Sequence, residues 1–61
     1  MELRKYRKAK GFTQKQLADI VGVKPHTISN YETGEREPPL ALLKMFAKVL
    51  DCSVDDLLSD I

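Results

Sequence analysis

The chain has one cysteine and one histidine among its 61 residues, and these scarcities exclude several function classes. Cys52 alone cannot form an intramolecular disulfide. Cys52 and His26 together cannot supply the three or four protein ligands of an ordinary zinc site. The longest uninterrupted apolar run is only a few residues, so neither a transmembrane span nor a secretory signal is expected. No glycine-rich phosphate cradle occurs. His26 and Cys52 fall in different segments without a third partner, and a helical chain this small has little room for a substrate cavity. Catalysis is therefore not expected, nor any cofactor, metal or small-molecule substrate. A lone thiol without an export signal fits the cytoplasm.

What remains is a small domain without staples. A chain of about this length buries only roughly 60% of the surface its unfolded form exposes. A low-contact-order helical bundle, with self-association as a further support, meets that constraint, and one domain is expected over residues 1–61. The net charge of +1 conceals an uneven distribution. Residues 1–36 carry eight Lys/Arg (positions 4, 5, 7, 8, 10, 15, 24 and 36) against four acids, a net of +4; residues 37–61 carry two Lys against five acids, a net of −3. Such asymmetry is a weak hint of a nucleic-acid face opposite an acidic side.

Periodicity divides the chain into five helices. Leu3 and Tyr6 share a face in a run of good helix formers, which predicts a first helix over 3–10 ending at Gly11. Thr13 followed by Gln16 has capping-box spacing, and Phe12 with Leu17 is placed as the accompanying hydrophobic staple. Leu17, Ala18 and Val21, with Ile20 beside them, supply the apolar face of the second helix. Gly22 should end it in a left-handed turn, with Val23 as an apolar plug. A third helix follows over about 25–33, with Ile28 and Tyr31 inward and Gly34 at its end. Glu35 to Pro39 is a polar, proline-bearing loop.

The third helix opens with a broken rule. Pro25 suits the first helical position, but Lys24 before it can neither accept a capping hydrogen bond nor favour the positive end of the helix dipole, a deficit of about 1 kcal/mol relative to Ser or Thr. Either Lys24 serves a phosphate ligand, or it is an exposed lysine the fold tolerates.

The fourth helix, 40–50, is apolar nearly all round apart from Lys44 and Lys48. Leu40, Leu43, Phe46, Ala47 and Leu50 suffice for a core. Leu42, Met45 and Val49 form a second stripe, which either meets a partner or is covered by the terminal helix. Ser53 with Asp56 resembles a cap, and Val54, Leu57 and Leu58 give a short fifth helix with an apolar face. Cys52 reads as a small hydrophobe whose pKa the surrounding acids should raise.

The polar residues of the third helix fall where base reading needs them. With positions 28 and 31 inward, Pro25, His26, Ser29 and Asn30 share the outer side. Asn30 can accept from adenine N6–H and donate to N7 simultaneously. His26 can donate to guanine N7 or O6, or to a phosphate. Ser29 is a permissive donor or acceptor, and Pro25 offers apolar contact. Thr27, Gln14, Lys15, Lys10, Lys24 and Arg36 would flank this strip as phosphate contacts. Two helices joined by a short glycine turn are the unit that sets such a strip into a major groove.

Nearly the full chain also resembles the phage-repressor-type (Cro/cI-like, XRE) helix-turn-helix family. The resemblance is carried by Arg4-x-x-Arg7, Gly11-Phe12-Thr13-Gln14-x-x-Leu17-Ala18, Gly22-Val23, Ile28-Ser29-x-Tyr31-Glu32-x-Gly34 and Arg36-x-Pro38. It continues through Leu43-x-x-x-Ala47-x-x-Leu50-x-Cys52-Ser53-Val54-Asp55-Asp56-Leu57. It implies an all-α, five-helix, lambda-repressor-like bundle that binds double-stranded operator DNA, commonly as a homodimer on a palindrome. It further implies a phosphate contact at Gln14, base-facing roles for Pro25, His26, Ser29 and Asn30, and a buried salt bridge between Arg7 and Glu32. Lys24 and Pro25 depart from the family pattern, so base preference cannot be copied from relatives. Leu42, Met45, Val49, Leu58 and Ile61 are the expected dimer surface. The competing expectation is an interaction module or antitoxin-like partner protein that uses the fourth helix of the same fold.

Overall fold

The structure, a computed structural model, describes residues 1–59 as five α-helices joined by short turns, and no strand occurs among them. Helix α1 spans Leu3–Ala9, α2 Gln14–Val21, α3 Pro25–Thr33, α4 Leu40–Val49 and α5 Val54–Leu58. The first and fourth helices end one residue earlier than the periodicity predicts, with Lys10 and Leu50 as their C-terminal caps.

Three helices end in the same way. The N–H of Phe12 reaches the carbonyl of Arg7 at 3.1 Å, that of Val23 reaches Ala18 at 2.9 Å, and that of Cys52 reaches Ala47 at 3.0 Å. Each such bond satisfies an orphan carbonyl of the last turn, and each tucks an apolar side chain back against the bundle. The geometry needs a left-handed residue just before the bond. Gly22 provides one at φ +82 between α2 and α3, while Asp51 occupies the equivalent place after α4 at φ +56. Asp51 tolerates this conformation because its short polar side chain is among the few that do so.

Helices α2 and α5 start with reciprocal caps. Thr13 Oγ1 accepts from the Gln16 N–H at 3.0 Å while Gln16 Oε1 accepts from the Thr13 N–H at 2.9 Å. Ser53 and Asp56 repeat the arrangement at 2.9 and 3.1 Å. The N–H of Glu2 donates to the Leu57 carbonyl at 2.7 Å, which ties the start of α1 to α5.

The core is built from Leu3, Leu17, Ala18, Val21, Ile28, Tyr31, Leu43, Phe46, Ala47, Leu50 and Leu57. At its centre the Phe46 ring meets Tyr31 edge-on, with centroids 6.0 Å apart. That is the arrangement the ring quadrupoles favour. Three residues that the helical pattern places on apolar faces do not join this core. Ile20 lies at the edge of the α2 face and is exposed. Leu40, expected in the core, is 62% exposed, at the first turn of α4 directly after Pro38 and Pro39. Leu58, placed on the apolar face of α5, is 53% exposed at the end of that helix. The Leu42/Met45/Val49 stripe divides: Leu42 and Val49 are half-buried against the core, and Met45 is exposed. Cys52 is half-buried. Burial, reinforced by the carboxylates of Asp56 and Asp51, pushes its thiol above its ordinary pKa. No helix among the described residues is long and apolar enough to cross a membrane.

Candidate nucleic-acid interface

Helices α2 and α3 make the most extensive pairing in the bundle, and one short turn separates them. The inward face of α3 is fixed by Ile28 and Tyr31, both buried. Its opposite side therefore carries Pro25 and His26, which are exposed, and Ser29 and Asn30, which are half-buried. Among the described residues the side chains of His26, Ser29 and Asn30 make no intramolecular hydrogen bond, so their donors and acceptors are uncommitted. Thr27 lies beyond Asn30 on the flank of the strip and is half-buried. Thr33 also belongs to this side of α3. It sits one turn beyond Ser29 and Asn30 on the same exposed side, as its spacing of four from Ser29 and three from Asn30 would have indicated. Its hydroxyl donates to the Asn30 carbonyl at 3.2 Å.

The start of α2 is joined to α3 by a buried polar network. Arg7 Nε donates to Glu32 Oε2 at 2.6 Å and Nη2 to Glu32 Oε1 at 3.2 Å, with side-chain exposures of 8% and 4%. The remaining arm of the guanidinium, Nη1, donates to the Phe12 carbonyl at 2.8 Å. Gln14 Nε2 completes the set by donating to Glu32 Oε1 at 3.0 Å. One arginine thus links α1, the turn into α2 and α3. No buried side-chain nitrogen or oxygen is left unpartnered among the described residues.

The remaining cations differ in how free they are. Lys15 pairs with Asp19 at 3.1 Å, and Lys10 lies 3.8 Å from Asp51 in the turn after α4. Lys24 and Arg36 are exposed and have no acidic partner among the described residues. The N–H of Arg36 donates to the Asn30 carbonyl at 3.2 Å, so the loop after α3 folds back beside the outer strip.

A sequence-family model described as "Helix-turn-helix" matches residues 3–57. The chain belongs to this helix-turn-helix family. It is 38% identical over 56 residues to the prophage-derived HTH-type transcriptional regulator YonR of Bacillus subtilis, covering 92% of this chain and 52% of YonR. The B. subtilis HTH-type regulator YazB is 36% identical over 55 residues, 90% of this chain and 80% of YazB. The competence pilus inhibition repressor of Acinetobacter baylyi is 41% identical over 51 residues, 84% of this chain and 46% of that protein. The chain spans about half the length of the first curated relatives it matches. No solved structure matches it.

Within this helix-turn-helix domain α3 starts without a side-chain cap. Lys24 holds the extended backbone of a cap, with φ −84 and ψ 150, but its side chain caps nothing. The N–H groups of Thr27 and Ile28 both turn to the Lys24 carbonyl, at 2.9 and 3.3 Å. Pro25 has no N–H, so of the first-turn donors only that of His26 is left over. Lys24→Ser is expected to stabilise the fold by about 0.5–1 kcal/mol, seen as a higher Tm. If Lys24 faces phosphate, the same change lowers the salt dependence of DNA binding by about one counterion.

Proposed function

We propose that this domain is the sequence-specific DNA-binding unit of a transcriptional repressor, with α3 as the helix that enters the major groove. The observation that carries the reading is the outer strip of α3. Pro25, His26, Ser29 and Asn30 present uncommitted polar and apolar groups on a helix whose other side is sealed by Ile28 and Tyr31. Asn30 reads adenine, His26 a guanine edge or a phosphate, Ser29 either partner of a pair, and Pro25 a thymine methyl. Lys24, Arg36 and Gln14 supply phosphate contacts that set the register, with Thr27 and Lys15 at the margins. Lys10 could join them only by leaving Asp51.

Binding is as a homodimer on a palindromic operator, with the two α3 helices about 34–36 Å apart along one face of the duplex. The exposed side chains of Met45 and Leu58 are the accessible part of the dimer surface, flanked by half-buried Leu42 and Val49. Ile61, the fifth residue expected there, lies outside the described residues. Repression, rather than activation, is favoured by the likeness to a relative named as a repressor. A regulator of this kind works in the cytoplasm, where the DNA is.

A second reading, a protein-interaction module, is favoured by the exposure of Leu40, Met45 and Leu58. Selection from random duplexes followed by a salt titration separates the two. Recovery of a two-fold symmetric motif whose affinity falls steeply with salt is expected; the absence of any enriched motif at low salt would leave only the interaction module.

A further inference from the structure

We propose that Glu32, with no DNA contact of its own, is a positioning residue that holds Gln14 ready for a phosphate. The inference rests on the DNA-binding reading and adds a role for a buried pair that otherwise looks purely structural. A carboxylate oxygen can only accept a hydrogen bond. Glu32 Oε1, 3.0 Å from Gln14 Nε2, therefore decides which way the Gln14 amide faces: nitrogen toward the carboxylate, oxygen away. One of the two Nε2 hydrogens is used in this bond, and the other has no partner among the described residues, on a side chain that is half-buried. The backbone N–H of the same residue is also available. The capping box takes the N–H groups of Thr13 and Gln16, and the Thr13 carbonyl takes that of Leu17. Gln14 thus offers two donors at the positive end of α2.

Charge explains why Arg7 belongs to the arrangement. A bare carboxylate behind a phosphate contact would repel the phosphate. The two bonds from Arg7, at 2.6 and 3.2 Å, neutralise Glu32 while leaving Oε1 able to accept from Gln14. The amide is then fixed before DNA arrives, and the cost of ordering a flexible side chain at the interface is met during folding.

The chain carries only three side-chain amides, on Gln14, Gln16 and Asn30, which makes the test direct. Side-chain ¹⁵N relaxation of the DNA-free protein should show Gln14 as ordered as Gln16, which is held in the capping box, and Asn30 mobile. Gln14→Met should weaken binding to selected and unselected duplexes alike by roughly tenfold, the worth of one hydrogen bond to a charged acceptor. The salt slope should not change, because no cation is removed. The paired variant Arg7→Met with Glu32→Leu replaces the ion pair by apolar groups, an exchange that folds tend to survive. In it the Gln14 amide should become as mobile as that of Asn30, binding should fall by the same factor, and adding Gln14→Met should cause no further loss. A Gln14 amide already mobile in the native protein, or a Gln14→Met variant that binds like the native protein, overturns the proposal while leaving DNA binding intact. Failure to select any motif overturns both.

Discussion

Replacing Arg7 by Ala is expected to remove most of the stability this domain has. The substitution leaves the Glu32 carboxylate, 4% exposed, without its counter-charge, and breaking a buried pair from one side costs about 3–5 kcal/mol. It also strips the Phe12 carbonyl of its donor at the entrance to α2. A domain of this size is held by only about 3–9 kcal/mol, taking roughly 0.05–0.15 kcal/mol per residue, so a large fraction of the variant should be unfolded at physiological temperature. Thermal unfolding followed by circular dichroism checks this. At about 4–8 °C per kcal/mol for small domains, Tm should fall by 12 °C or more. The Arg7→Met/Glu32→Leu pair should recover much of that loss, because stranded charge, more than missing attraction, causes the damage. A native Tm for Arg7→Ala would mean that water reaches Glu32 and solvates it.

The second large effect is on recognition. Asn30→Ala should cost roughly 1–3 kcal/mol of operator affinity and relax preference at one base position in each half-site. The fold should be nearly unaffected, since the Asn30 side chain has no hydrogen-bond partner inside the described protein. Its structural work is done by the backbone carbonyl, which accepts from Thr33 Oγ1 and the Arg36 N–H and survives the substitution. Repeating the duplex selection with the variant reads the outcome. Degeneracy confined to one position per half-site identifies a base contact. A uniform loss across all sequences would place Asn30 on the phosphate backbone instead.

The two substitutions act on different parts of the same helix. Glu32 faces inward near the end of α3 and anchors it, whereas Asn30, two residues earlier, lies on the outer strip. Separation of stability from specificity follows from helical geometry, because positions two apart point about 200° away from each other.

The order of elements and the outer strip of α3 were legible in the sequence because they depend on short-range physics. A capping box needs only Thr13 and Gln16 at the right spacing, a left-handed turn needs only Gly22, and the sidedness of α3 follows from Ile28 and Tyr31. The Arg7–Glu32 pairing joins residues 25 positions apart. No local spacing implies it; only the likeness to a known family did. What the sequence by itself determined is therefore a set of helices, their ends and the face each turns inward.

The tertiary structure decided which apolar residues are covered. Leu40 and Leu58 satisfy the helical pattern of a core and are nevertheless exposed, while Leu42 and Val49, surplus by pattern, are half-buried. It also decided which polar groups are already occupied: Gln14 by Glu32, Lys10 by Asp51, Lys15 by Asp19. The reason is common to both. Periodicity says where a side chain points, but burial and pairing depend on what another segment brings to that place.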